Sequence, residues 1–162
     1  MMIKLLKALV MVASMATTSA VFAQDYEKAL KAYIAKDYGV AMKEWRFLAE
    51  RGNADAQHWL GRMYEEGEGV IKDYKEAVYW LRKASEQGEA AAQSNLAAMY
   101  HFGHGVEQSK IYAYMWWNVA AANGFRNAPK FRDEMEQQLT LAEIAKAQDM
   151  ARQCVKKQYK GC

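Results

Sequence analysis

The chain repeats itself every 36 residues, and that period limits the folds open to it more than any other feature. A shift of 36 carries Asp37 to Asp73, Ala41 to Ala77, Gly52 to Gly88 and Gln57 to Gln93. It also carries Leu60 to Leu96, Tyr64 to Tyr100, Gly67 to Gly103, Gly69 to Gly105 and Val70 to Val106. A third pass runs from Ala77 to Ala113, Trp80 to Trp116, Ala84 to Ala120 and Gly88 to Gly124, again without an insertion. One register held over three passes predicts stacked units, each burying its apolar side against the next.

Within a unit, the kept residues are those that a packed helix pair requires. Ala56, Leu60, Met63 and Tyr64 fall on one helical face, and Ala77, Leu81 and Ala84 form the answering face. The small residues Ala56, Gly61, Ala77 and Ala84 allow neighbouring axes to approach closely. Gly67 and Gly69 stand where the first helix must stop and turn. Asp73 is placed to cap the second helix, with Glu76 three residues on as a capping-box partner. Helices are predicted over 25–36, 37–51, 53–66, 73–87, 89–102 and 109–123. Asn127-Ala128-Pro129 and Thr140-Leu141-Ala142-Glu143 mark two further starts. The expected domain is all-α, with about eight helices and no linker. Trp116 and Trp117 are expected in the core, since Trp116 repeats Trp80 and Trp117 replaces Leu81.

The pattern A..LG.MY..G.GV..DY.EAV.WL.KA.EQG resembles the Sel1-like repeat, a relative of the tetratricopeptide repeat. The resemblance covers about residues 37–124 and implies an α-solenoid of stacked antiparallel helix pairs. The units run 24–52 (an N-terminal capping pair), 53–88, 89–124 and 125–162 (C-terminal capping helices). The third pass loses the signature after Ala128, where Arg132 stands for Leu60 and Glu136 for Tyr64. The last helix, with Ile144, Ala147, Met150, Ala151 and Cys154 on one face, is expected to close the array as a lid.

Residues 1–23 read as a cleaved signal peptide. Lys4 and Lys7 precede a short apolar run, Ala8 to Ala16, and Val21-Phe22-Ala23 suits a signal peptidase, so a mature chain would start at Gln24. No cysteine stands near that site for lipid attachment. The expected location is periplasmic or secreted. The formal net charge of +3 includes Lys4 and Lys7, which leaves +1 for 24–162. A nearly neutral domain argues against nucleic acid as a partner, and no apolar run is long enough to span a bilayer. Arg152, Lys156, Lys157 and Lys160 form a basic end that suits a helix C-terminus. The two cysteines, Cys154 and Cys162, are expected to pair in an oxidising compartment and to tie down the tail.

No motif for nucleophilic, metal or phosphate chemistry is present, so no catalytic residue, metal site or cofactor is assigned. His101 and His104 lack a third ligand; the first is expected exposed and the second in the turn between Gly103 and Gly105. Glu65, Glu66 and Glu68 are expected at a solvated helix end, with nothing apolar to raise a carboxyl pKa. In tetratricopeptide-like arrays the first helix of each pair lines a concave groove. Carried over by register, that resemblance singles out His58, Arg62, Glu65 and Glu66, then Ser94, Ala98, His101 and Phe102. It implies a non-catalytic adaptor of the bacterial envelope that binds a protein or peptide. Two alternatives belong to the same resemblance. One is a structural subunit of an envelope machine. The other is a β-lactam-binding or hydrolysing enzyme of the cysteine-rich Sel1-like type, although this chain lacks the cysteine pair in each repeat.

Overall fold

Six of the helices start where a polar side chain takes up free N–H groups of the first turn. Asp37 accepts from the backbone of Val40, Asn53 from Ala56, Asp73 from Lys75 and Glu76, and Ser109 from Tyr112. Glu89 does the same for Ala91 and Ala92, and Thr140 and Glu143 form a reciprocal capping box. The computed structural model describes residues 24–162. The signal peptide read over 1–23 therefore lies outside the described residues. The helices are α1 (24–34), α2 (Tyr38–Glu50), α3 (Ala54–Glu66), α4 (Tyr74–Ser85), α5 (Ala90–Phe102), α6 (Lys110–Ala122), α7 (Ala128–Glu136) and α8 (Leu141–Lys156). No strand occurs among the described residues.

The helices pack as an α-solenoid, with α2 to α7 each on its neighbour in sequence, and α8 passes over α7 to fold back onto α6 as the expected lid. One continuous core runs through all the units. Ala41, Trp45 and Leu48 of α2 meet Ala56, Leu60 and Met63 of α3, and Ala77, Leu81 and Ala84 of α4 continue it. Trp116 and Trp117 are both buried, as their register required. Gly61 lets α3 and α4 touch, because a Cβ there would stand 2.8 Å from Leu81 Cγ.

Two sets of hydrogen bonds recur with the period. Gln57 donates to the carbonyl of Ala49, and Gln93, one unit on, donates to that of Ser85. Gln57 in turn accepts from Gln87, and Gln93 from Asn123. Arg46 donates to the hydroxyl of Tyr64, and Arg82 to that of Tyr100. Both glutamines are buried, so each amide satisfies its polar atoms inside the protein. Each inter-helix turn is also pinned from within its unit. The N–H of Asp73 donates to Tyr64 and that of Ser109 to Tyr100, at 3.0 and 2.9 Å. This bond corrects the capping box expected at Asp73. With its N–H already committed to Tyr64, Asp73 offers Glu76 nothing to accept, and only the carboxylate half of the motif forms.

At the C-terminal end Cys154 and Cys162 are joined, with Cα atoms 5.5 Å apart. The loop they close sets Tyr159 against Gly88, and the Tyr159 hydroxyl donates to Asn123. Tyr159 stands 36 residues after Asn123, so the bridge holds a last member of the Gln87–Asn123 series in place. Loss of the bridge in a Cys154→Ser, Cys162→Ser double variant is expected to cost at most about 3 kcal/mol. Far-ultraviolet circular dichroism should then show the helices intact, with a lower unfolding midpoint.

The turn glycines give a sharper test. Gly105 has φ 71°, and a Cβ on it would lie 2.2 Å from the carbonyl oxygen of Tyr74 in the preceding unit. Gly124 has φ 87° with open space around it. Gly124→Ala is therefore expected to cost about 1 kcal/mol, the left-handed strain alone. Gly105→Ala should cost at least about 1 kcal/mol more in denaturant unfolding, because the unit interface must also open. Equal costs would mean that Gly105 is not a contact between units.

Candidate functional site

The first helices of the pairs, α1, α3, α5 and α7, carry a row of side chains set by register. Trp59, Asn95 and Phe131 are equivalent, as are Arg62, Ala98 and Glu134, and Glu66, Phe102 and Gln138. Near α1 the row is aromatic. Tyr33 lies 5.1 Å from Trp59 between ring centroids, Trp59 stacks on Trp45 at 4.9 Å, and Trp59 Nε1 donates to the Tyr26 hydroxyl. Arg62 lies over Trp59 at 5.2 Å from the ring centroid.

Further along, α5, α6 and α7 enclose a cavity of about 380 Å³. Ser94, Ala98, His101 and Phe102 all line it, so four of the eight residues taken by register meet at one place. Trp117, Phe125, Phe131 and Met135 complete its apolar wall, and Asn95, Asn127, Glu134 and Gln138 supply polar groups. Phe102 leaves 62% of its surface to solvent at the edge of this cavity. Such an aromatic is a common anchor for a partner surface.

His58 and Arg62 lie outside the cavity, and Asn95 joins His58 to it. The Asn95 amide nitrogen is 3.2 Å from His58 Nε2. Burial, with a smaller contribution from the Arg62 charge, pushes the His58 imidazole down to about 4. A neutral ring then accepts at Nε2 from Asn95 and carries its proton on Nδ1. Glu89 stands 3.9 Å from that nitrogen, but the ring's preference for neutrality rules out an ion pair near pH 7.

Three expectations about these side chains need correction. Glu65 does not sit at a freely solvated helix end. It is half-buried, and its carboxyl is pushed up first by burial and then by the charge of Glu66. Glu66 is exposed, whereas one carboxylate oxygen of Glu68 is closed off from solvent beside Tyr33. The Tyr33 hydroxyl is raised to about 12, first by burial and second by Glu68. His101 is not an exposed helix residue; it packs between Phe102 and Trp117 at 4.5 and 5.8 Å, with Nδ1 enclosed. Ser94 is 4% exposed and lines the cavity. His104 stacks on Tyr74 at 4.2 Å, which accounts for it structurally.

The candidate site residues missed from sequence are Trp59, Asn95, Phe125, Phe131 and Glu134. Carrying the shift into the third unit would have named Glu134 and Gln138, since they follow Arg62 and Glu66 by two periods. The loss of the leucine and tyrosine signature at Arg132 and Glu136 hid that step. Among the described residues no group of three or more His, Cys, Asp or Glu side chains could hold a metal ion. No helix among them is long and apolar enough to cross a membrane.

Residues 54–89 and 90–125 each match the family model described as Sel1 repeat. The chain carries two Sel1 repeats. Two solved structures extend the likeness beyond those residues. One is a protective antigen present in uropathogenic Escherichia coli strains that displays an SLR fold. It is 29% identical over 85% of this chain, with a TM-score of 0.81. The other is a Sel1 repeat protein from Oxalobacter formigenes, 28% identical over 79% of this chain, with a TM-score of 0.67. This chain spans 30% of the first protein's length and 55% of the second's. No curated protein sequence matches this one. Sel1 repeats commonly form scaffolds for protein interaction, and the intrachain disulfide of this chain fits an oxidising compartment.

The depressed His58 value has a consequence for stability. In the unfolded chain this imidazole takes a proton near pH 6.5, and in the folded chain only near 4. Between those values the unfolded state holds more protons, so stability is full above pH 6.5 and is lost as the pH falls toward 4. The loss is about 3 kcal/mol at its largest. Glu65 and Glu89, both raised by burial, gain stability when protonated and work against this loss. A His58→Gln chain keeps both carboxyls, so its unfolding free energy should fall less steeply between pH 6.5 and 4 than that of the unsubstituted chain. Equal acid slopes would show that His58 is not held neutral.

Proposed function

We propose that this chain is a non-catalytic binding module of the bacterial envelope. It holds a protein or peptide segment along the face made by α3, α5 and α7. The observation that carries this reading is the cavity between α5, α6 and α7, where Ser94, Ala98 and His101 meet beneath the exposed ring of Phe102. His58 and Arg62 extend the face toward α1, and Glu65 and Glu66 border it. The apolar, partly enclosed lining suits side chains of a partner, and the flanking polar row suits its backbone. The likeness to Sel1-repeat proteins supports a scaffold role, and the disulfide supports an oxidising location, periplasmic or secreted. Residues 1–23, read as a signal peptide cleaved before Gln24, would deliver the chain there.

The test is retention of the partner by single-site variants of the exported chain. Arg62→Ala and Phe102→Ala are each expected to weaken binding by about 2 kcal/mol while the unfolding midpoint stays within a few degrees. Partner retention equal to that of the unsubstituted chain would move the binding face elsewhere. The stoichiometry of what envelope extract yields separates two forms of this role. One dominant partner at a fixed ratio marks a subunit of a larger envelope machine, whereas several partners mark an adaptor.

A further inference from the structure

We propose that the cavity between α5, α6 and α7 receives one cationic side chain of the partner, arginine in preference to lysine. This rests on the reading that the α3–α5–α7 face binds a protein segment, and it specifies what that segment must present. Four aromatic rings line the cavity: Phe102 from α5, Trp117 from α6, Phe125 from the following turn and Phe131 from α7. The Trp117 and Phe131 centroids are 5.6 Å apart, and both the enclosure and the ring faces suit a cation with low hydration.

Charge points the same way. Among the described residues Glu134 is the one carboxylate lining the cavity, and no lysine or arginine lines it. The cation nearest to that carboxylate, Lys130, lies 3.9 Å from it, one helical turn back. Both side chains are largely exposed, so the pair is weak and a partner's cation can replace Lys130. Asn95 commits its amide nitrogen to His58, which leaves its carbonyl oxygen as an acceptor at the cavity's edge. The lining therefore offers a carboxylate and a neutral acceptor to a donor-rich guest. A purely apolar guest would cover Glu134 and Asn95 without pairing them, which costs binding energy. Arginine fits best, because its guanidinium is flat enough to stack on a ring and forked to meet a carboxylate through two N–H groups.

The experiment titrates the isotope-labelled chain with the tripeptide acetyl-Gly-Arg-Gly-amide and follows the Trp117 indole N–H by nuclear magnetic resonance. Tripeptides with lysine, norleucine, phenylalanine or glutamate in the centre serve as comparisons. The arginine peptide is expected to shift the Trp117 signal at the lowest concentration, lysine next, and glutamate not at all. Binding should weaken about fivefold in Glu134→Gln and again in salt of about 0.5 M. Glu134 is on the surface, so that variant keeps the fold, and an unchanged unfolding midpoint confirms it. Phenylalanine or norleucine binding as tightly as arginine would overturn the proposal and make the cavity an apolar anchor. A Trp117 signal unmoved by the arginine peptide would overturn it too. Should Phe102→Ala abolish partner retention while Glu134→Gln preserves it in full, the binding face stands and the cationic guest falls.

Discussion

A single buried amide at each of the two junctions among the first three units ties one repeat to the next. Gln57 and Gln93 each reach back to a carbonyl at the end of the preceding helix, Ala49 or Ser85, and each accepts from a residue just past the unit's own second helix, Gln87 or Asn123. Four helix ends thereby share two buried glutamines. Each carbonyl also accepts a turn N–H, that of Gly52 or Gly88, whereas the glutamine amide has no other partner, and burying it unpaired would cost about 1 to 3 kcal/mol. The amide escapes that cost only when the units sit in one register. Apolar packing of Leu60, Leu81 and Leu96 supplies most of the attraction, but it tolerates sliding, which directional hydrogen bonds do not.

That fixed register is what lines up residues far apart in sequence on one candidate face. Side chains at equal positions of α3, α5 and α7 fall in line, so Trp59, Asn95 and Phe131 come into one row although no two of them are alike. In the third unit Arg132 and Glu136 stand where Leu60 and Tyr64 are buried. α7 is shorter than α3 and α5, and the cavity lies beside it. The change that ends the stack thus coincides with the place that can admit a guest. Stability and function are separated along the chain, with the glutamines and leucines on one side of each first helix and the candidate contacts on the other.

How much of this could be read in advance followed from whether a residue's role was local or repeated. The period exposed the fold, since leucine, tyrosine and glycine recur at places where packing and turns permit nothing else. Asp73 could be identified as a cap from its local context. The failed box at Glu76 could not, because the competing bond comes from Tyr64 across the turn. Ser94, Ala98, His101 and Phe102 were reachable by counting, but their depth was not. His101 and Ser94 are enclosed by α6 and α7, and no pattern within α5 records that. The low pKa of His58 and the raised one of Glu65 likewise arise from burial by neighbouring helices, not from sequence neighbours alone.

The claim that one amide per junction couples the units is tested most directly by native-state hydrogen exchange on Gln93→Leu. Leucine keeps the volume but leaves the Ser85 carbonyl with the Gly88 N–H alone and takes the acceptor from the half-buried Asn123 amide nitrogen. If the amide couples the units, backbone amides in α3 and α4 and those in α5 and α6 should lose protection together, by about 3 kcal/mol. Loss confined to α5 and α6, with α3 and α4 as protected as before, would mean that the units hold their register by apolar packing alone.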